Sequence, residues 1–565
     1  MTLSSISSLQ TTTLTDSVGQ PTATQVLTVV VTPSISIETD SQGNPTATIA
    51  SYPIPPATHA VVYTITEGQY FVGMFLPTLV ASLLAIAVRI LDTNAKIFQP
   101  WHALTHERGA SGRDTLCLQT GGWKSFIMSV RSMLGGQAVV FLTSLLSLSS
   151  ALLVPLSAEA IALDLRGEGC KKGANTAKNC AYVLSASAQA SKATIALLAI
   201  MSVATLFLVP LLARWRLGVY TNPWSICTLA SLSLNQEVRQ LITATAANAG
   251  MRKPVKEQIS RLIKDRNFKL EHFQHTNGSM EYGVVALDDL NGAAGFRYQH
   301  EDDTESIPLH SRLGRDEVSK GKRRAPFFML SILGRVFLLF MLCGVLVLIL
   351  YYSQTGGDTG FENFIDSDSF GVRFLFTSFG VIISIFWSSF FDSVAIMSPY
   401  QLLARRPQYA SRSILLAPPT NAFSGLWYAA RSRRIFLAVV ALASIVSESL
   451  SIFLSNVPFQ VTQTYLVSQM SCWAAVSILS LMVLTVIISF YIKWPHMPVD
   501  PSTIAGAMYY VCDSPVLDRF EGLSKLKKKE RDRKVTELAL LYEFGEIEGT
   551  SGSRRVGVNI FCTMD

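Results

Sequence analysis

The sequence predicts an α-helical integral membrane protein: seven transmembrane helices in a parallel 3+1+3 internal repeat, each half carrying a small cytosolic α+β module of helix plus β-hairpin. Three observations predict it. Seven nearly uncharged apolar stretches recur along the 565 residues. Lys and Arg gather in alternate connecting segments, and the polar segments that follow the third helix of each half match one another.

Charged residues make up 15% of the chain, against about a quarter in a typical soluble protein. Crossing a hydrocarbon core takes about 20 apolar residues. Suitable stretches run near Val72 to Leu91, Gly136 to Leu156, Ala193 to Ala213, Phe327 to Tyr352, Val372 to Met397, Ile435 to Leu454, and Met470 to Ile492. Buried soluble helices are the alternative, and their repeated length and lack of charge weigh against it.

Cytosolic loops retain positive charge during insertion. Residues 1–71 contain no Lys or Arg, so the N-terminus is expected outside and the C-terminus in the cytosol. That places Lys96, Arg108, Arg113, Lys124 and Arg131 inside, with Lys322, Arg323, Arg324, Arg405, Arg406, Arg412, Arg431, Arg433, Arg434 and Lys493. The loop from Ser157 to Lys192 dissents with five basic residues. The net charge of +7 thus faces the bilayer's anionic inner leaflet, the expected partner, together with cytosolic proteins; nucleic acid is excluded.

The expected organisation is an extracellular Ser/Thr/Pro-rich tail (1–70), a first membrane half (71–213), a first cytosolic module (214–290), a flexible linker (291–326), a connecting membrane helix (327–352), a second membrane half (372–492) and a second cytosolic module (493–565). The tail lacks the basic and apolar regions of a signal peptide and reads as an extended, O-glycosylated segment, although Val26 to Val31 also suits a strand. Asn277-Gly278-Ser279 fits N-glycosylation but falls on the cytosolic side, where it stays unmodified. The eight cysteines include no C-x-x-C pair. Cys170 and Cys180 share one outside loop, as a disulfide or as two unpaired thiols.

The repeat is read from ordered matches. Phe75-Leu76-Pro77-Thr78, with Asp92, Pro100, Trp101 and Leu104, is echoed by Phe374-Leu375-Phe376-Thr377, with Asp392, Pro399, Tyr400 and Leu403. Val154-Pro155-Leu156 answers Val457-Pro458-Phe459, and Asn222-Pro223-Trp224-Ser225-Ile226 answers Asp500-Pro501-Ser502-Thr503-Ile504. Gly278-Ser279 and Gly283-Val284 answer Gly552-Ser553 and Gly557-Val558 within two predicted hairpins, the second running Leu538 to Phe544 and Arg555 to Phe561. Facing each other, two such modules are expected to share one core. The connecting helix returns the chain outside, so both halves keep one orientation.

Arg89-Ile90-Leu91-Asp92, Gln99-Pro100-Trp101-His102-Ala103-Leu104, Lys529-Glu530-Arg531-Asp532-Arg533 and Tyr542-Glu543-Phe544-Gly545, behind a Ser/Thr-rich head, resemble the fungal membrane proteins catalogued as domain of unknown function 3433. The resemblance covers most of the chain from about residue 70 onward. It implies a duplicated multi-pass membrane protein and no established activity. The second half departs from it, with Ser388-Ser389-Phe390 in place of Arg89-Ile90-Leu91.

Among candidate sites, Glu448 is the sharpest, because an ionisable group inside a membrane helix is costly. Ser444, Ser451 and Ser455 share its helical stripe, Arg335 lies at similar depth as a pairing candidate, and Leu145 holds the corresponding place in the first half. A proton- or cation-sensitive path and a helix-packing ion pair are the two readings. His102, His106 and Glu107 lack the zinc-protease order, and the acidic run Asp358, Glu362, Asp366, Asp368 lacks a calcium-loop spacing. Lys525, Lys527, Lys528, Lys529, Arg531, Arg533 and Lys534 form a basic cluster facing lipid headgroups or simply solvent. No metal site, cofactor site or catalytic motif is found. The leading function is a non-enzymatic scaffold or sensor at a fungal plasma membrane; the alternative is a transporter or channel with an ionisable path at Glu448.

Overall fold

The computed structural model describes residues 67–119, 136–166, 181–247, 255–275, 277–287, 327–354, 371–458, 465–550, 552 and 554–561, with the backbone of four strands in the head. The chain divides into two units, each described by itself. The smaller comprises Met1–Gly73 and Ala162–Ser185. Its head, expected as an extended segment, contains two antiparallel hairpins, Ile6–Thr15 with Pro21–Val31 and Ser34–Thr39 with Pro45–Ser51. Alternating Thr, Val and Ile suit a pleated strand, and Val26 to Val31 falls in one.

The larger unit holds seven helices long and apolar enough to cross a membrane: Leu76–Ala103, Ala138–Ala160, Ala188–Arg214, Ile332–Gln354, Val372–Arg405, Ile435–Leu454 and Tyr465–Tyr491. They are called first to seventh below. The first and fifth run furthest past the ends that their apolar stretches predict. The first was expected to end at Leu91 and continues to Ala103, because its first charges do not stop it: Lys96 Nζ donates to Asp92 Oδ2 at 2.7 Å, one turn apart, and both are buried. The fifth continues to Arg405, through Pro399.

The first helix packs on the second and the fifth on the sixth; the second also packs on the fifth, and the sixth on the first. These four form the centre. The third helix lies against the second, and the fourth and sixth lie against the seventh. Apolar side chains of the third helix, Leu206 and Phe207 among them, point outward and offer a surface suited to lipid tails.

Gly380 sets the closest approach of the fifth and sixth helices, since a Cβ there would lie 2.6 Å from the Cα of Ser451. Small residues at such crossings let helix backbones touch. Gly380→Val is therefore expected to destabilise the protein by about 2 kcal/mol, the usual order for overpacking, read as a lowered unfolding temperature in detergent. An unchanged temperature would mean that the crossing slides apart without cost.

Beyond the third helix come Ile226–Leu232, Gln236–Ala247, Val255–Ile263 and a hairpin of Asn267–Gln274 with Met280–Leu287. Ser225 caps the first of these, accepting from the Thr228 amide. Beyond the seventh helix come Ile504–Tyr509, capped by Thr503, then Lys528–Glu537 and a hairpin of Leu541–Glu548 with Arg554–Ile560. This second hairpin starts three residues later than the sequence suggests. Ala539 has a φ of 51°, a left-handed residue that closes the preceding helix, so extended backbone begins only after it. Each hairpin gains a third strand from the loop after its half's leading helix: Ala110–Ser111 on one, Gln408–Tyr409 on the other.

The two modules share a core. Trp101, Leu104, Phe268 and Val284 belong to the same buried cluster as Tyr400, Leu403, Phe520, Tyr542 and Val558. Polar latches cross between them. Ala505 N donates to Leu116 O at 2.8 Å, Arg239 Nε to Cys512 O at 3.0 Å, and Asn277 Nδ2 to Glu521 Oε2 at 2.8 Å.

Candidate functional site between the central helix pairs

The acidic and basic residues of the first helix's interior share one stripe. Arg89, Asp92 and Lys96 recur at helical spacing, so all three turn toward protein. Arg89 Nη1 donates to Ser384 Oγ of the fifth helix at 2.8 Å and forms an ion pair with Glu448 Oε1 of the sixth. One turn further on, Asp92 Oδ1 accepts from Thr143 Oγ1 at 3.1 Å and Ser144 Oγ at 3.0 Å, both on the second helix, while its other oxygen holds Lys96. The charges of the first helix therefore bind it to its three neighbours in the centre.

A cavity of about 40 Å³ lies beside the ion pair, lined in part by Arg89, Thr93, Asp392, Asn421, Ser444 and Glu448. A second, of about 60 Å³, shares Thr93, Asp392 and Thr420 with it and reaches Asn222, Trp224, Tyr400 and Pro501 at the modules. The two cavities therefore share a wall between Glu448 and the module aromatics. A few water molecules fit each cavity.

Glu448 thus meets Arg89 and not Arg335, the partner at similar depth along the chain. The fourth helix packs against the seventh, so Arg335 donates to Ser489 O at 2.7 Å and lies over the Phe490 ring. The serine stripe faces protein: Ser451 Oγ lies 3.4 Å from Ser82 Oγ, Ser444 lines the smaller cavity, and the carbonyl of Ser455 accepts from Arg373 Nε at 3.2 Å. Arg89, Asp92, Ser384 and Asp392 were missed as site residues. Charges spaced i, i+3 and i+7 on the first helix were the available signal.

The basic cluster divides. Arg531 turns inward, bonded to Asp532, Thr221 and Thr228, because helical spacing sets it on the same buried face as Val535. It is removed from the lipid-facing set. Lys527, Lys528, Lys529, Arg533 and Lys534 are exposed, and Lys525 donates to Met280 O. His102 Nδ1 lies 2.8 Å from Arg216 O and its ring meets His106 edge-on. Among the described residues no group of three or more His, Cys, Asp or Glu is placed to hold a metal. Cys170, Cys180, Asp358, Glu362, Asp366, Asp368 and the linker 291–326 lie outside the described residues.

Two buried thiols report on module packing. Burial pushes Cys227 up to about 12 and Cys512 up to about 11, so both stay protonated near neutral pH. Maleimide labelling of either at pH 7.5 is expected only after unfolding, read by mass spectrometry with and without denaturant. A thiol whose folded value is raised contributes stability that is fully present below its unfolded value, near 8.5, and is lost as pH rises toward the folded value. The module core therefore weakens above about pH 8.5.

Seven long apolar helices mark a multi-pass membrane protein of unknown function. The family described as Protein of unknown function (DUF3433) matches residues 50–162 and again residues 370–459, so this chain is similar to that family in two separate stretches. No curated protein and no solved structure matches the chain. The matched stretches contain the four central helices, and Arg89, Asp92, Asp392 and Glu448 all fall within them. The Arg89–Glu448 pair joins one copy to the other.

Proposed function

We propose that this protein is a non-enzymatic membrane platform, a scaffold or sensor, in which a parallel 3+1+3 repeat holds two cytosolic modules as one body against the inner leaflet. The observation that carries this reading is the shared core of the modules, anchored on Trp101 and Tyr400 at the ends of the first and fifth helices. Orientation follows from the basic loops on that side, Arg405, Arg406 and Arg412 among them. The family resemblance and the Ser/Thr-rich head suggest a fungal plasma membrane and an O-glycosylated exterior.

A transporter is the second reading, favoured by the cavities at Asp392 and Glu448. Against it, Glu448 is already neutralised by Arg89 and its cavity is small. The purified protein in liposomes loaded with a pH-sensitive dye decides between them. The platform reading expects no proton or cation flux that Glu448→Gln alters; a flux abolished by Glu448→Gln would overturn it.

A further inference from the structure

A cavity of about 360 Å³ lies away from the ion pair, between the two modules. One wall is the helix Val255–Ile263 and the residue after it. Ile259 and Ile263 face the core, which turns Lys256, Ser260 and Lys264, each four residues apart, along the cavity side. Arg113 joins them from the loop after the first helix, where its amide donates to the carbonyl of Lys264 at 3.1 Å. The opposite wall is the second module, Val499 to Gly506, fixed in place by the Ala505–Leu116 backbone bond.

Three cations therefore line a pocket whose only described carboxylate is Asp500. That carboxylate is occupied, accepting from Gln119 Nε2 and from the Ser502 amide, both at 2.9 Å. Arg113, Lys256 and Lys264 are all exposed to the pocket and its mouth. The volume lies within the range of small-molecule sites. Val499 follows the seventh helix closely enough that even a fully extended chain keeps it within about 28 Å of Tyr491. Basic pockets at such membrane-proximal positions suit phosphorylated headgroups.

We propose that this pocket binds a phosphate-bearing anion, with Arg113, Lys256 and Lys264 supplying the charge and Ser260 a hydroxyl donor. Arg presents a fork to phosphate oxygens and Lys a point charge, so the set fits a ligand with more than one phosphate. The site needs both modules, because each supplies one wall. It does not depend on the platform reading, since a transporter would hold the same pocket.

The test uses the full-length protein in lipid nanodiscs. Three probes are compared: nanodiscs containing phosphatidylinositol bisphosphate, soluble inositol hexakisphosphate, and inorganic phosphate, each against phosphatidylcholine nanodiscs alone, with binding read by thermal shift and calorimetry. Saturable binding is expected, and the triple variant Arg113→Gln, Lys256→Gln, Lys264→Gln weakens it at least about tenfold. Changing Lys528 and Lys529 to Gln leaves it unaltered. Binding of the lipid alone identifies a membrane headgroup, and binding of the soluble probes identifies a free phosphate compound. The single variant Lys256→Gln, on an exposed helical turn, serves if the triple variant fails to fold. Absence of saturable binding to all three probes, or equal binding by the variants, overturns the proposal.

Discussion

Arg89→Leu destabilises the protein by about 3 kcal/mol or more, because it leaves Glu448 charged and unpartnered between helices, whereas removing both charges costs far less. The geometry gives the reason. Arg89 is held at once by Glu448 and Ser384, and the cavity beside them, about 40 Å³, has no second cation in its lining to replace the guanidinium. The double variant Arg89→Leu, Glu448→Leu fills the space with apolar groups and is expected near wild-type stability or above it. The exchange Arg89→Glu with Glu448→Arg restores part of the loss. Unfolding of the wild type, Arg89→Leu, Glu448→Leu and the double leucine variant in a graded detergent series gives the coupling between the two residues as a double-mutant cycle. Additive single effects would mean that the charges stand apart and that the two copies are joined by packing alone.

Asp513→Ala carries the second large effect, about 3 kcal/mol, for the same physical reason in a different place. Arg555 is sealed inside the second module, its side chain 1% exposed beside an Asp513 that is 2% exposed, with 3.5 Å between them. Its guanidinium also lies over the Tyr509 ring and donates to the Tyr509 carbonyl. Asp513 further accepts from the Thr550 hydroxyl at 2.9 Å, tying the end of the short helix Ile504–Tyr509 to the hairpin turn. Without that carboxylate the guanidinium faces an apolar core. Hydrogen exchange across Leu541–Glu548 and Arg554–Ile560 is expected to accelerate first, ahead of the membrane helices. Protection equal to wild type in the hairpin would show that Tyr509 alone satisfies Arg555.

The helices were legible because a bilayer demands long apolar runs, and such a demand leaves its mark residue by residue. Their ends were less so. Asp92 and Lys96 look like the edge of a membrane span when counted along the chain, yet they neutralise one another and the helix passes through them. The serine stripe around Glu448 was legible from helical spacing, but its partner was not. Arg89 and Glu448 lie 359 positions apart, and depth in the membrane alone could not choose between Arg89 and Arg335. That choice is made by which helices pack together, a property of side-chain shapes across several interfaces. The inward turn of Arg531 was hidden for a similar reason: a cluster of like charges reads as solvent-facing until Val535 fixes which side of the helix is buried. The duplication, by contrast, showed itself in polar segments, where ordered Gly-Ser and Gly-Val matches are hard to produce by apolar composition.

The central claim is that the ionisable centre is a closed joint between the two copies and not part of an aqueous path. Single cysteines at Ser444 and Ser451, on a background in which the native cysteines are blocked or replaced, test it while leaving Arg89 and Glu448 intact. In sealed liposomes treated with a small polar thiol reagent, both positions are expected to resist modification until the protein is unfolded. Rapid labelling of either in the folded protein would contradict the joint and place water beside Glu448.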